Sequence, residues 1–301
     1  MIIMKMSGRL GNQMFQYALG RHLSIINNQP LKISHLTYPK AKIKPDSYKD
    51  SCNFNLFQFD IKAQSITKEE LVDFGHIPFL KKVYSSIEIY FFKNTYYKQT
   101  SVKEPVGNNQ IFDQRILKFP YKDVYFRGFW QSEKYFIDIR DVIISDFTVK
   151  EPPDKYNSSV IEKINSTNSI SLHFRRGNNT NPDNSVGTLS FDYYQKAVDY
   201  ITNKIKDPHF YIFSDDIVWV KNNFKINFPH TYIENDLDKD CDDIRLMSNC
   251  KHHITANSTF SWWGAWLCTN PNKIVVVPER NAQNIDRLNP DLYPESWIKI
   301  K

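Results

Sequence analysis

Between Ser169 and Pro278 short runs of β-branched and aromatic residues take turns with stretches of helical periodicity. "SISLHF" (169–174) reads as a strand, and "FDYYQKAVDYITNKI" (191–205) as an amphipathic helix with Tyr194, Ala197, Val198, Ile201 and Ile205 on one face. The pattern continues through "HFYIFSDD" (209–216), "IVWVKNNF" (217–224), "TYIE" (231–234), "CDDIRLMSNC" (241–250), "HHITAN" (252–257), "TFSWWGAWLC" (259–268) and "KIVVVP" (273–278). Such alternation demands helical crossovers between parallel strands, because parallel neighbours cannot be joined by a tight turn. The expected fold class is therefore α/β.

The amino-terminal half reads as a second, less regular α/β unit. "MIIMKM" (1–6) is a strand, "SGRLGNQ" (7–13) a loop, "MFQYALGRHLSII" (14–26) a helix and "LKIS" (31–34) a strand. Residues 40–120 show few clear periods, while "VYFRGFWQSEKYFIDIR" (124–140) reads as strand, turn and helix with Ser132 placed to cap. The stretch "EPPDKYNSS" (151–159) has the composition of a linker, so domains of 1–152 and 153–301 are expected. A 301-residue chain with 21 Phe, 17 Tyr and 6 Trp has material for two cores.

Charge and cysteine usage exclude several classes. A net charge of +6 without basic runs suits an anionic ligand and gives no nucleic-acid footprint. Cys52, Cys241, Cys250 and Cys268 form no C-x-x-C pair and have no histidine at ligand spacing, so neither a disulfide framework nor zinc is indicated. No apolar stretch approaches the length of a membrane span, and a cytoplasmic protein touching a membrane surface at most is expected. "SGRLGN" (7–12) lacks both the dinucleotide glycine pattern and the P-loop lysine.

The polar clusters follow strands, where ligands of open α/β sheets bind. Arg175 and Arg176 follow one strand; their planar forks suit a pyrophosphate, or one of them pairs with a neighbouring carboxylate. Period two places His173 and Arg175 on one face. Asn257 or Ser258 can cap a helix whose first N–H groups face an anion, or can act as an ordinary cap. Asp215 and Asp216 can accept from ribose or guanine, or Asp can cap the next helix. Trp262, Trp263 and Trp266 are helical neighbours and expected core. The D-x-D spacings of "DLDKDCDD" (236–243) read as a solvated loop rather than a metal site, and His252 and His253 point to opposite faces.

Four segments together, "GRLGNQMFQYALGRHL" (8–23), "GFWQSEKYFIDIRDVI" (128–143), "HFRRGN" (173–178) and "DIRLMSNCKHHITANSTFSWWGAWL" (243–267), resemble glycosyltransferase family 11, the α-1,2-fucosyltransferases, in its bacterial form. The resemblance implies a GT-B type fold, two Rossmann-like domains facing across a cleft, with an acceptor-side domain first and a domain binding GDP-β-L-fucose second. It implies inverting, metal-independent transfer of L-fucose to the 2-hydroxyl of a terminal galactose on a cell-surface or O-antigen glycan, with no cofactor beyond the donor. By the same resemblance Arg175 contacts the β-phosphate, and His173 and Asp215 approach guanine. Arg176, Asn257, Ser258, Thr259 and Phe260 belong to the phosphate-facing set, and Gly11, Asn12 and Gln13 to the loop reaching fucose or phosphate. A peripheral membrane contact would follow from a lipid-linked acceptor. The H-x-R-R-x-D motif of the family ends here in Asn178, which has no carboxylate to serve as base. A GDP-fucose-binding protein, or a transferase of other linkage impaired at Asn178, is the alternative.

Overall fold

The computed structural model describes residues 1–35, 54–67, 70, 100–103, 111–118, 120–121, 123–180, 186–236 and 239–301. The first unit runs β1 (Ile2–Lys5), α1 (Leu10–Ile26), β2 (Leu31–Ser34), β3 (Gln64–Ser65), β4 (Thr100–Lys103), α2 (Arg115–Lys118), β5 (Val124–Arg127) and α3 (Arg140–Asp146). Its strands pair in parallel in the order β3-β2-β1-β5-β4.

The second unit runs α4 (Lys155–Ser166), β6 (Asn168–Phe174), α5 (Phe191–Thr202), β7 (Pro208–Ser214), α6 (Ile217–Asn223), β8 (His230–Tyr232), α7 (Asp240–Asn249), β9 (His252–Ile254), α8 (Thr259–Leu267), β10 (Val275–Pro278) and β11 (Ile298–Ile300). The sheet order is β11-β10-β9-β6-β7-β8, again with every pairing parallel. Both sheets are doubly wound. The chain fills one side from its first strand and then reverses, which puts switch points between β1 and β5 and between β6 and β9. Two Rossmann-like sheets of this kind constitute the GT-B type architecture expected from the sequence.

Two local readings are corrected. Helix α1 starts at Leu10, so Gly11, Asn12 and Gln13 lie in its first turn and not in a loop. No side chain caps it, and without a cap signal the sequence reads as helical only where the apolar run begins. Nor is 151–159 a linker throughout, because Asp154 accepts from Asn157 N at 2.8 Å and opens α4. Its polar residues form the wet side of an amphipathic helix that buries Asn157, Val160 and Ile164.

Nor do the two units keep wholly separate cores. One apolar cluster joins Met4, Met14, Phe15 and Phe126 of the first unit to Trp262, Trp263, Trp266, Val277 and Trp297 of the second. Helix α8 is apolar all round and accordingly buried, with Trp263 stacked on Phe136 at 5.4 Å and tilted against Phe15 at 4.9 Å. The tryptophans are core, as their spacing indicates.

Candidate active site

At the first switch point the chain leaves β1 through Gly8, whose φ of +76° lies in the left-handed region. A Cβ there would stand 2.4 Å from Asn12 Nδ2, so only glycine fits. Gln16 then ties both strand ends together: its Nε2 donates to Ser7 Oγ (2.9 Å) and to Gly128 O beyond β5 (2.8 Å), and its Oε1 accepts from Ser7 N (3.0 Å). Gln13 is fully buried, donating to Gly8 O (3.1 Å) and accepting from Asn55 N (3.3 Å). Its amide is thus engaged in holding the turn.

The second switch point meets the first directly. Asn12 Oδ1 accepts from Gln131 Nε2 (2.8 Å) and from Thr259 Oγ1 at the start of α8 (3.1 Å), while Trp263 Nε1 donates to Gly11 O (3.0 Å). The helices touch so closely at Gly11 that a Cβ would lie 2.7 Å from Phe260 N. Ser258, not Asn257, caps α8, accepting from Phe260 N at 3.3 Å. Neither α1 nor α8 carries an acidic residue in its first turn. Two positive helix ends held together without a compensating carboxylate favour an anion beside them.

The β6 end supplies fixed charge. Register between β6 and β7 pairs Phe174 with Ser214, and one step further it brings Arg175 beside Asp215 and Arg176 beside Asp216. Arg175 Nη1 ion-pairs with Asp215 Oδ2, and Arg176 N donates to Asp215 Oδ1 at 2.8 Å. Arg176 lies with its guanidinium carbon 3.3 Å from the Trp219 ring centroid and reaches Asp216 Oδ2 at 3.4 Å. Asp216 also caps α6, accepting from Trp219 N at 3.2 Å. Ion pairing and capping, the two bland readings of these residues, are therefore both realised. Arg175 still keeps further N–H groups for a ligand, because a guanidinium carries five.

Buried acceptors and donors without partners surround this charge. His173 Nδ1, Thr255 Oγ1 and Asn257 Oδ1 have none, whereas Asn257 Nδ2 donates to Val186 O (3.2 Å) and Gly187 O (3.1 Å). The β6–β9 pairing ends at Leu172 and Ile254, so Thr255 and Asn257 follow the strand that neighbours β6. Such orphaned groups are costly unless a ligand or water satisfies them.

Burial, aided by the neighbouring Arg175 charge, lowers the His173 pKa from 6.5 to about 3. The ring is thus neutral at neutral pH and polarises without adding charge. Between pH 6.5 and 3 the unfolded chain binds a proton that the folded one refuses, so this contribution to stability is lost as pH falls, by up to about 5 kcal/mol. In thermal melts from pH 8 to 4, His173→Gln is expected to lose less stability than the wild-type chain; parallel losses would refute the assignment.

Gly11, Asn12, Thr259, Phe260, His173, Arg175 and Asp215 thus form a connected set, with the His173 ring 5.9 Å from that of Phe260. The Arg176 guanidinium stands apart on Trp219 while its backbone N–H joins Asp215, and Asn178 lies in the short turn Gly177–Thr180, its side chain outside the described residues. Sequence reasoning passed over Gln16, Gln131, Trp219 and Tyr194, whose hydroxyl receives the Arg175 N–H. Gln13 and Gln16 carried a signal, two amides three apart, one before and one within the apolar run 14–19 of the helix. In the acidic run, Lys239 pairs with Asp154 and Asp242 with Arg245, while residues 237–238 lie outside the described ones.

Comparison with known proteins gives the family and supports the fold. The family model of glycosyl transferase family 11 matches residues 108–301. The chain is 34% identical to the O-antigen biosynthesis glycosyltransferase WbnK of Escherichia coli, covering 98% of this chain and 99% of that one. It is 28% identical to an alpha-1,2-colitosyltransferase of Escherichia coli, covering 100% and 99%. An Arabidopsis thaliana FUT1 variant solved in complex with GDP shares the fold at a TM-score of 0.51 and 12% identity, covering 99% of this chain and 75% of that one. With two switch points sharing one anion-favouring corner, and relatives spanning its whole length, the chain belongs to glycosyltransferase family 11 and is a glycosyltransferase.

Proposed function

We propose that the chain transfers L-fucose from GDP-β-L-fucose, with inversion, to the 2-hydroxyl of a terminal galactose on an O-antigen or related cell-surface glycan. The observation carrying this reading is the meeting of two acid-free helix amino termini, with Phe260 at the start of α8 facing the His173 ring two residues before Arg175, an arrangement that suits a diphosphate leaving group. The α-1,2 linkage is taken from relatives named for it, among them a rat galactoside alpha-(1,2)-fucosyltransferase 2 that is 24% identical over 57% of this chain. Residues 153–301 would hold the donor, and 1–152 would face the acceptor.

In the reaction the bond from fucose C1 to the β-phosphate oxygen breaks with its electron pair going to GDP. The galactose O2 forms its bond to C1 from the opposite face. Arg175 and the helix ends neutralise charge on the departing diphosphate, which lets the sugar develop cation character before attack. The hydroxyl proton then leaves late, to phosphate or water, so that no carboxylate is required at Asn178.

The test is GDP release and product linkage by NMR with purified protein, GDP-fucose, a β-galactoside and excess EDTA. An α-1,2-fucosylated product is expected. Activity lost in EDTA and restored by a divalent metal would overturn the metal-independent mechanism. Binding without transfer would turn attention to Asn178→Asp, whose recovery of turnover would show that a base is needed after all. The colitosyltransferase relative favours a second reading, in which a colitose donor replaces the fucose donor, and a parallel assay with that donor decides between them.

A further inference from the structure

The sequence offers Asp215 as an acceptor for ribose or guanine, yet in the structure both its oxygens face arginines, Oδ1 through a hydrogen bond and Oδ2 through an ion pair outside hydrogen-bond geometry. Oδ1 accepts from the Arg176 backbone N–H at 2.8 Å, and Oδ2 faces Arg175 Nη1. The Asp215 side chain is 9% exposed and that of Arg175 18%, so water screens the pair only partly. Both residues sit where the β6–β7 register runs out, and a long arginine side chain at a strand end has many rotamers to choose from.

We propose that Asp215 is a positioning residue for the transfer: it aims the Arg175 fork and pins the Arg176 backbone, and it does not contact the nucleoside. The proposal rests on the reading that Arg175 meets the donor diphosphate. The Arg175 main chain is held independently, by its N–H on the Tyr194 hydroxyl and by Phe174 packed 4.0 Å from the Tyr194 ring. What remains to be fixed is the guanidinium, and Asp215 is the group that fixes it. With Nη1 turned to the carboxylate as an ion pair, Nε and Nη2 are left as a planar pair, the geometry that engages two oxygens of a phosphate. The carboxylate also places negative charge near the diphosphate and so weakens ground-state binding, as expected of a group kept for orientation rather than affinity.

Asp215→Asn tests this, because the amide keeps an acceptor for the Arg176 N–H while losing the charge that holds Arg175. Expected are a kcat lower by about 10- to 100-fold, a KM for GDP-fucose that does not rise, and a melting temperature close to that of the wild-type chain. A nucleoside contact would give the opposite split: KM for GDP-fucose and Kd for GMP rising together with kcat retained, which would overturn the proposal. A readout independent of the donor is the 15N NMR of the Arg175 guanidinium in the free protein. Rotation about Cζ–Nη1 should be slow in the wild-type chain and fast in Asp215→Asn; unchanged rotation defeats the positioning role. Failure of the wild-type chain to bind GDP would instead defeat the reading of the site, leaving the NMR comparison to decide the role of Asp215.

Discussion

Arg175→Ala is expected to slow fucosyl transfer by at least about 10²-fold, with kcat falling far more than KM rises. The residue follows β6, two positions after His173, whose ring faces Phe260 at the start of α8, and it is held by Asp215 through its side chain and by Tyr194 through its main chain. A cation so held needs no reorganisation as charge develops on the leaving diphosphate, and that is where such groups contribute most. Arg175→Lys should recover only part of the loss, since an ammonium can present one point charge but not two parallel N–H groups. Steady-state GDP release on the purified variants measures both effects; near-normal turnover of Arg175→Ala would remove the residue from the mechanism.

The second large effect concerns stability. Trp263→Ala is expected to cost about 3–5 kcal/mol, the range for truncating a fully buried large aromatic. Trp263 has no exposed surface, contacts Phe15, Phe136, Phe147, Trp262 and Trp266, and donates to Gly11 O across the two units. Its removal opens a cavity and leaves a buried carbonyl without its donor just where the two helix ends meet. Melting monitored by circular dichroism should show a fall of roughly 5–10 °C. Trp263→Phe, which keeps most of the ring volume and loses the N–H, should fall by less. GDP affinity should fall in both variants, because the corner that favours the anion depends on this contact. A Trp263→Ala protein with wild-type stability would mean that the units are not joined through this core.

Much of the second unit was legible in the sequence. The strands and helices from β6 to β10 begin and end within a few residues of their periodic runs, because each run buries one face locally and ends at a polar or capping residue such as Ser190, Asp216 or Ser258. The grouping of Arg175, Asp215 and Asn257 at strand ends could also be read, since parallel strands with helical crossovers place such residues on one edge. The first unit was harder. Its β3 and β4 contribute only Gln64–Ser65 and Thr100–Lys103 to the sheet, runs too short to show a period. The start of α1 escaped because that helix is entered through Gly8 and tertiary contacts rather than through a capping side chain.

The sequence by itself determined the parallel α/β class and the buried character of the Trp262–Trp266 helix, since both follow from periodicity within elements and from their order along the chain. Only the tertiary structure decided that Arg175 pairs with Asp215, that Gln13 and Gln16 hold a turn, and that α1 and α8 meet at Gly11. Those facts depend on strand register and on contacts between residues up to 252 positions apart, as in the bond from Trp263 to Gly11. Local periodicity carries no information about such pairings, whose energies arise only once the chain has closed on itself.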